Sequence, residues 1–486
     1  MVLASGPHGF EELAMQRLSA TDAMMLYQEQ SSKDHGHSMR VILVDPPKEA
    51  MPRAWEQIRD NLVSALNQLP LFWCRLVPTP LSLHHPLWVP DPHFHVYNHF
   101  HRVGCPSPGG ERELADLVAD IASRPLDRTR PLWEMWIVEG LASGGLAVVS
   151  KMHHALADGV ATVQMFAECC TTEPRSPDEQ SPRQRPTVAP IPSNVRLLTM
   201  AARDVLKVLP TVPTVWRRAR QVRRLRGERA TVSNPPQGTD AQPTSLNRNP
   251  GPYRNFAHLT FDLNDIKTIK NAFGVSINDV YLAICTTSVR SLLLERDELP
   301  EVPLIGGVAA STRTTAEQQD TYGNRVATMA VRLPTGSEDP VQRLMDIKAE
   351  ADIAKADFRM AEGARLGDIL ELLPPPVHHL ILAAVNRLTN AGRPVVGNVI
   401  LSNVPGPQET LYFGEFKIKA IYGVGPLLGG IGLNITAWSY VDQLHMSVLS
   451  NPETIPDPWP FVQMAQDAFD ELHKRANTLD QRGTDG

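Results

Sequence analysis

Two adjacent histidines, His153 and His154, stand where an imidazole can act as a base. Imidazole titrates near neutrality, so a positioned histidine can take a proton from a hydroxyl group. The apolar run at residues 145–150 before the pair predicts a buried strand, and the apolar residues after Gly159 predict a helix. Asp158 and Gly159 mark the N-terminal boundary of that helix. The sequence therefore predicts a general base held rigidly at a strand-to-helix junction and exposed to a cleft.

The chain contains two further His-His pairs, His84-His85 and His378-His379. Neither pair is followed by Asp and Gly at the spacing seen after His153, and both stand beside prolines. We predict that these two pairs are structural.

Metal binding is the main alternative for the histidines. His154 and Asp158 have the i, i+4 spacing of a helical metal site, but a convincing third ligand is lacking nearby. The run 93–101 has histidine at four odd positions, which would share one face of a strand. Histidine-rich edge strands are more often solvated, so we predict no metal.

Further segments accompany the histidines in order along the chain. They are residues 18–24, Pro131-Leu132-Trp133, Asn278-Asp279, Gly323-Asn324-Arg325, residues 402–407 and residues 432–440. Together with the spacing His-His-x-x-x-Asp-Gly, they resemble the motifs of the bacterial wax ester synthase/diacylglycerol acyltransferase family, within the coenzyme-A-dependent acyltransferase superfamily. The resemblance covers nearly the whole chain.

The resemblance implies an α/β fold of two chloramphenicol-acetyltransferase-like lobes with a tunnel between them. Coenzyme A would enter one mouth of the tunnel and the acceptor the other, with the histidine loop at the lobe interface. The implied reaction transfers a fatty acyl group from acyl-CoA to a lipid hydroxyl, with His154 as the general base. The expected acceptor is diacylglycerol, giving triacylglycerol, with long-chain alcohols giving wax esters. Acyl-CoA is then a co-substrate, and no bound cofactor is expected.

A nucleophile elbow of the type Gly-x-Ser-x-Gly is absent from the sequence. This absence favours direct transfer in a ternary complex over an acyl-enzyme. Three other functions stay open at this point: acylation of a specialised envelope lipid, lipid binding without turnover, and metal-dependent hydrolysis. Hydrolysis would require stoichiometric metal and loss of activity with a chelator.

Two motif residues beside the base have open roles. His153 can support the base or share in the chemistry. Asp158 can cap the following helix, orient the loop through a salt bridge, or contact the reacting histidine. With His154 they form the predicted catalytic set.

The predicted substrate-binding residues each have a structural alternative. Trp133 fits a tunnel wall or a core position. Asn278 can orient substrate or an interlobe contact, whereas Asp279 can simply cap a helix. Ser402-Asn403 can stabilise an oxyanion or only form a turn. The full predicted set is Gly159, Pro131, Leu132, Trp133, Asn278, Asp279, Ser402 and Asn403.

Some positions depart from the family pattern and put substrate identity in doubt more than reaction type. They are Met39, Arg40, Ala309, Glu415, Val441 and Asp442.

Composition restricts the class of protein. A net charge of -6 gives no case for nucleic acid binding. The five cysteines lack metal-ligand spacing and suggest a reducing cytoplasm. No apolar stretch approaches the ~20 residues needed to span a bilayer, and the N-terminus does not resemble a signal peptide. We therefore expect a cytoplasmic protein, soluble or bound peripherally to a membrane or a lipid droplet; its oligomeric state is left open.

Proline-rich stretches divide the chain. We predict a first acyltransferase lobe at residues 1–172, a Pro/Arg-rich linker at 173–252, a second lobe at 253–475 and a polar tail at 476–486.

The linker contains a basic segment, residues 195–230, predicted to be helical with interruptions at Pro210 and Pro213. It ends in seven arginines beside Trp216, at positions 217, 218, 220, 223, 224, 226 and 229. Such a cluster can lie on an anionic lipid surface or serve only as a solvated basic helix.

Overall fold

The computed structural model describes residues 15–29, 35–66, 69–156, 169–175, 190–217, 220–221, 224, 235–311, 326–363, 370–427 and 429–484. Its helices are α1 Ala20–Gln28, α2 Ala54–Leu66, α3 Glu111–Ser123, α4 Asn194–Val208, α5 Leu263–Phe273, α6 Ile277–Glu295, α7 Pro340–Gly363, α8 Pro375–Asn390 and α9 Trp459–Thr484. Its strands are β1 Gln16–Arg17, β2 His37–Asp45, β3 Cys74–Val77, β4 Leu87–Pro90, β5 Phe100–Gly104, β6 Trp133–Glu139, β7 Leu146–His153, β8 Asn255–Asp262, β9 Leu304–Ser311, β10 Val326–Leu333, β11 Val399–Val404, β12 Tyr412–Phe413, β13 Phe416–Val424, β14 Leu433–Tyr440 and β15 Gln443–Ser450.

The first lobe is built on a six-stranded sheet in the order β12-β13-β2-β7-β6-β5. Alternate residues of β7 point to opposite faces. Val148 packs in the core that includes α2, whereas Val149 packs in the core that includes α3. All eight residues of β7 are buried, so the predicted buried strand is confirmed and extends to His153.

The second lobe is built on a six-stranded sheet in the order β10-β9-β11-β14-β15-β8. Strand β11 runs parallel to its neighbours β9 and β14, and the other pairs are antiparallel. Helices α5, α6, α7 and α9 cover one face with a large apolar core. The opposite face is more polar and turns towards the first lobe, where the hydroxyl groups of Thr260 and Tyr422 lie 3.0 Å apart. The prediction of two α/β lobes is confirmed.

The sheets do not follow the predicted linear division of the chain. Residues 412–424 come after the predicted boundary at residue 253, yet β12 and β13 belong to the first sheet. Strand β13 pairs with β2 along nearly its full length and also contacts β14 and β15. A strand from the second half therefore joins the two lobes, and the division itself stays a prediction for the folding units.

A small sheet, β1-β4-β3, carries helix α4 on its surface. Leu197 of α4 packs against Val77, Leu87 and Val89. The predicted helix in the basic segment is confirmed at 194–208 and again at 212–217, with a 3-10 turn at Pro210. Of the seven predicted arginines, positions 218, 223, 226 and 229 lie outside the described residues.

The two additional His-His pairs meet at one end of α1. The ring centroids of His85 and His378 lie 5.0 Å apart, and those of Tyr27 in α1 and His379 lie 4.4 Å apart with the rings tilted by 42°. The Tyr27 hydroxyl lies 3.0 Å from Nδ1 of His85, and this nitrogen can accept a hydrogen bond from the hydroxyl. Burial, aided by His378, His84, Arg17 and His379, lowers the pKa of His85 to about 3. These histidines therefore hold α8 against α1, in agreement with the structural role predicted for them.

Acid is expected to weaken this histidine contact. The pKa of His85 is about 3 in the fold, against an ordinary 6.5, so between these values the unfolded chain binds a proton that the folded chain does not. The contribution of neutral His85 to the free energy of unfolding is then fully present above about pH 6.5 and decreases as the pH is lowered towards 3. Thermal unfolding of wild type and His85→Gln, compared at about pH 7.5 and about pH 5, should show a smaller acid-induced drop in Tm for the variant. The exposed His93→Gln serves as the control, and equal drops in His85→Gln and wild type would contradict the expectation.

Candidate active site

The first histidine of the motif, His153, ends β7 and is buried. Its Nδ1 accepts a 3.0 Å hydrogen bond from the Ala155 backbone N–H, so its ring proton sits on Nε2. Nε2 lies 3.1 Å from Oε1 of Glu29 and donates to it. Burial acts to raise the pKa of Glu29, but hydrogen bonds from His153, Arg128 and Gly36 outweigh it and lower the pKa to about 2. Both ring nitrogens of His153 are thus engaged by the protein, which favours the supporting role.

The second histidine, His154, lies in the turn directly after β7 and is half-buried. Its backbone N–H donates to the Gly36 carbonyl at 2.7 Å. The space at Gly36 is tight, because an added Cβ would lie 3.1 Å from His153 Nε2 and 3.3 Å from Glu29 Oε1 and would require these side chains to shift. The backbone of His154 is therefore fixed by a neighbouring loop at the strand end.

Lys151 anchors the same strand from the opposite direction. Its side chain is fully buried, and its ammonium donates to the carbonyls of Ile121 and Arg124 at the end of α3. It also lies 3.7 Å from the Glu134 carboxylate. Burial lowers the pKa of Lys151 to about 8. The lysine therefore connects the C-terminus of α3 to the histidine strand. A cation is favourable there because the last carbonyls of a helix carry partial negative charge.

Residues Pro131, Leu132 and Trp133 lie beside the histidine strand inside the first lobe, and all three are buried. The His153 N–H donates to the Leu132 carbonyl at 3.0 Å. The Trp133 indole donates to the Phe72 carbonyl at 2.8 Å and belongs to the core. This tripeptide holds β7 in register, which fits the core alternative for Trp133.

His99, from the histidine-rich run, also supports Trp133. Its ring stacks on Trp133 with centroids 4.5 Å apart, and its Nδ1 lies 2.8 Å from the Trp133 carbonyl. The run is not one strand as pictured from its alternation, since residues 96–99 form a 3-10 turn before β5. Among the described residues, no group of three histidine, cysteine or acidic side chains is placed to hold a metal ion.

The predicted residues of the second half form their own cluster. Asp279 is the acidic member of a capping box with Ser276 at the start of α6, so its capping role is observed. Asn278 lies beside Asn403 of β11, with their amides 3.4 Å apart. Ser402 and Asn403 thus lie on the second sheet, whereas the two histidines lie at the edge of the first.

The turn after Asn403 is packed closely against β14. A Cβ at Gly406 would lie 2.1 Å from the Ser439 carbonyl oxygen and 2.4 Å from Trp438 Nε1, so only glycine fits. Trp438 in turn faces Arg40 of β2, whose guanidinium carbon lies 5.3 Å from its ring centroid. This contact joins the two sheets across the lobe interface.

The remaining departures from the family pattern lie in strands and turns. Met39 is buried in β2, and Ala309 pairs with Thr328 in the second sheet. Glu415 stands in the β12–β13 turn. Val441, in the β14–β15 turn, has a φ of 54°, and the Asp442 carbonyl accepts from Leu263 at the start of α5.

A small cavity adjoins the histidine motif at the lobe interface. Its volume is about 10 Å³, and it is lined by His35, His37 and Met39 of the first lobe and by Arg254 and Leu449 of the second. His37 pairs with His153 in the β2–β7 ladder, and its ring stacks on that of His35 at 5.2 Å. Burial lowers the pKa of both His35 and His37. This histidine-lined cavity was not predicted, although the pattern His-Gly-His at 35–37 was a signal for it.

A second cavity lies inside the first lobe and is almost wholly apolar. Its volume is about 30 Å³, room for about two water molecules. Its lining includes Ser150 and Met152, which precede the two histidines on β7, and Leu62, Leu66 and Phe413. The pocket therefore reaches the strand that carries the motif.

Part of the predicted site lies outside the described residues. Asp158, Gly159, the helix predicted to follow them and Gly323-Asn324-Arg325 belong to this part. Within the described ranges, no single helix is long and apolar enough to cross a membrane; α5 and α6 together have the composition but meet at 99°.

Comparison with solved structures defines the class of protein. The wax ester synthase/diacylglycerol acyltransferase from Marinobacter aquaeolei VT8 superposes with a TM-score of 0.67 and 25% identity, covering 95% of this chain and all of that one. The starter condensation domain of rhizomide synthetase, solved with C8-CoA and Leu-SNAC, shares the fold at a TM-score of 0.57 and 13% identity, covering 97% of each chain. The fold is that of the two-lobed acyltransferases and condensation domains.

Sequence comparison identifies the family. Residues 18–281 match the wax ester synthase/diacylglycerol acyltransferase catalytic domain, and residues 322–473 match the WS/DGAT C-terminal domain. A Mycobacterium tuberculosis H37Rv protein, provisionally named a diacylglycerol O-acyltransferase, is 34% identical over 464 residues, covering 94% of this chain and 97% of that one. The chain belongs to the wax ester synthase/diacylglycerol acyltransferase family and is an acyltransferase, as its motifs indicated.

Removal of the Glu29 carboxylate should lower turnover through His153. Glu29→Ala leaves the His153 ring without its acceptor, and a shift of about 1 Å in a catalytic loop can cost ~10²-fold in rate. We expect kcat to fall by ~10–100-fold, with KM little changed and with partial rescue in Glu29→Gln. Arg128→Gln, which removes the exposed partner of Glu29 and a hydrogen bond to the Leu26 carbonyl but leaves the Glu29–His153 contact, is the matched control. A wild-type kcat in Glu29→Ala, measured by coenzyme A release, would show that the pair has no positioning role.

Proposed function

We propose that this protein transfers a long-chain acyl group from acyl-CoA to diacylglycerol, forming triacylglycerol, and to long-chain alcohols, forming wax esters. Membership of the family supports this chemistry, and the named activity of the Marinobacter enzyme supports both acceptor classes. The observation that carries the proposal is His154, held by its backbone at the end of a buried strand.

The proposed reaction is a single displacement at the thioester. His154 takes the proton of the acceptor hydroxyl while its oxygen attacks the carbonyl carbon. The C–S bond breaks as the tetrahedral intermediate collapses, and the protonated imidazole returns the proton to the leaving thiolate. The products are an ester and free coenzyme A. No group on the enzyme becomes acylated, and acyl-CoA acts as a co-substrate.

The other motif residues serve as support in this proposal. His153 and Glu29 fix the strand end from which His154 projects, and Trp133 holds the same strand from within the core. Asn278 and Asn403 lie together at the second sheet, where an amide donor suits the developing oxyanion. Asp158 keeps its predicted alternatives of helix cap, salt bridge that orients the loop or contact with the reacting histidine, and Gly159 stays in the predicted substrate-binding set.

We further propose that the small apolar cavity of the first lobe marks where the acyl chain inserts, with the side chains that line it moving apart to admit the chain. Its lining carries almost no polar surface, which suits an alkyl chain at roughly 0.8 kcal/mol per buried CH₂. Met152 lies two residues before His154, so a chain seated there would place its thioester near the base. The histidine-lined cavity at the lobe interface would form part of the predicted tunnel.

The setting of the reaction is also part of the proposal. All five cysteines are thiols rather than members of disulfides, which suits a reducing cytoplasm. Because the acceptors are insoluble lipids, we place the enzyme peripherally on a membrane or a lipid-droplet surface.

The role of His154 is tested by coenzyme A release from palmitoyl-CoA, with diacylglycerol and hexadecanol offered separately. His154→Ala should lose ~10²–10⁴-fold in turnover, while the exposed His93→Ala keeps wild-type rates. Acceptor-dependent release that is lost in His154→Ala also identifies the preferred acceptor. Release that survives in a folded His154→Ala would remove the histidine from the mechanism, and no release by wild type with either acceptor would favour a specialised acceptor or a binding role.

The acyl pocket is tested by filling it. Leu66→Trp adds volume where α2 lines the cavity and should shift the preference from palmitoyl-CoA to octanoyl-CoA. Overpacking costs ~1–3 kcal/mol of stability, so Leu66→Met is made as the volume-conserving control. An unchanged ratio of kcat/KM for the two donors in a folded Leu66→Trp would place the acyl chain elsewhere.

A further inference from the structure

Helix α4 has an apolar stripe that faces away from the protein. Leu197 and Ala201 face the small sheet. On the opposite side Val195 and Leu206, 71% and 66% exposed, lie on one line of the helix, with Val205 beside them.

Basic groups flank the stripe of α4. Arg196, Arg203 and Lys207 are exposed and lie along one edge of it. The only acidic residue between positions 194 and 224 is Asp204, which pairs with Arg17 at 2.7 Å. The apolar stripe is therefore bordered by positive charge that no acid in this segment neutralises.

Helix α8 repeats this arrangement from the second half of the chain. Its inner face packs through His378 and Leu382, whereas Leu380, Ile381 and Leu388 are exposed on the outer face. Residues 375–393 contain no acidic side chain and include Arg387 and Arg393.

The loop at residues 79–85 connects the two helices in space. It contacts α4 at Pro80–Ser82, and its His85 contacts His378 of α8. Leu81 is 85% exposed and Leu83 54%. Leu81 and Ser82 both have positive φ, at 55° and 52°, a conformation that such residues rarely adopt. The fold thus holds a leucine outward in a strained turn between two helices with outward apolar faces.

We propose that α4, α8 and the 79–85 loop form one docking surface for an anionic phospholipid membrane. Apolar side chains at helix faces and at a loop tip, bordered by basic groups and without unpaired acids, match the apolar interior and the negative headgroups of such a surface. Arg217, Arg220 and Arg224 extend the charge beyond α4. Charge of one sign on this scale argues against a second copy of the chain as the occupant, since like charges would meet.

The surface adjoins the candidate active site. Helix α8 packs on Tyr27 of α1, and Glu29 at the end of α1 pairs with His153. Docking through α8 would bring the membrane close to the carboxylate that holds the His153 ring. The inference rests on the proposed function only in giving the docking a purpose, which is access to a lipid acceptor. Membrane binding itself is measured without turnover.

Flotation with vesicles tests the surface directly. Wild type is expected to float with vesicles of equal parts phosphatidylcholine and phosphatidylglycerol, and much less with phosphatidylcholine alone. A variant with serine at Leu81, Leu83, Leu206 and Leu380 should bind at least tenfold more weakly. Arg196→Gln/Arg203→Gln/Lys207→Gln should lose most of the preference for the anionic vesicles.

The matched control places serine at four exposed apolar residues elsewhere in the second half of the chain: Leu294, Val302, Met345 and Leu479. It should float as wild type does. Equal flotation of wild type and the surface variant would overturn the proposal. So would a wild-type dimer that the surface variant converts to a monomer, with flotation unchanged, because the face would then join two copies.

Turnover with a water-soluble acceptor separates this proposal from the proposed function. With octanoyl-CoA and hexanol in the absence of vesicles, the surface variant should keep the wild-type rate of coenzyme A release. If wild type releases no coenzyme A under any condition, the proposed function fails while the flotation result stands by itself.

Discussion

The end of β7 depends on charged groups held in the interior by hydrogen bonds. Lys151 is fully buried and donates to the last carbonyls of α3. Two residues further along the strand, the His153 ring donates to ionised Glu29. Leaving a buried polar group without its hydrogen-bond partner typically costs ~1–3 kcal/mol, and more when the group is charged. Each of these contacts is lost if the strand slips, because a shift of one residue turns every side chain to the other face. The position of His154 is therefore fixed by the hydrogen bonds that Lys151 and His153 make on the same strand.

The lobe interface is fixed by a second constraint, the exchange of a strand between halves of the chain. Strand β13 completes the first sheet beside β2 while it packs on β14 and β15 of the second. The ends of β2 and β7 and the inner face of the second sheet are thereby brought together. Arg40 on Trp438 and the cavity between His35 and Arg254 both lie across this junction. A site built this way draws its residues from distant parts of the sequence.

Local pattern was sufficient to predict the elements whose signals are local. The apolar run before His153 identified β7, and Ser276 with Asp279 shows why a helix begins where α6 does. Other contacts join residues that are far apart in the sequence. His85 meets His378, which follows it by 293 positions, and Glu29 pairs with His153, which follows it by 124. No periodicity encodes such contacts, since they follow from the packing of whole elements. For the same reason the placement of β13 in the first sheet differs from a division based on composition.

Helix α1 connects the two regions on which function is proposed to depend. Tyr27, whose pKa burial raises to about 12, packs among the histidines that hold α8. Two residues later, the Glu29 carboxylate accepts hydrogen bonds from the His153 ring and from the Gly36 backbone N–H. The loop that fixes His154 through Gly36 shares that same carboxylate. Helix α1 and the residue that follows it therefore carry both the ring contact with α8 and the carboxylate that holds the His153 ring.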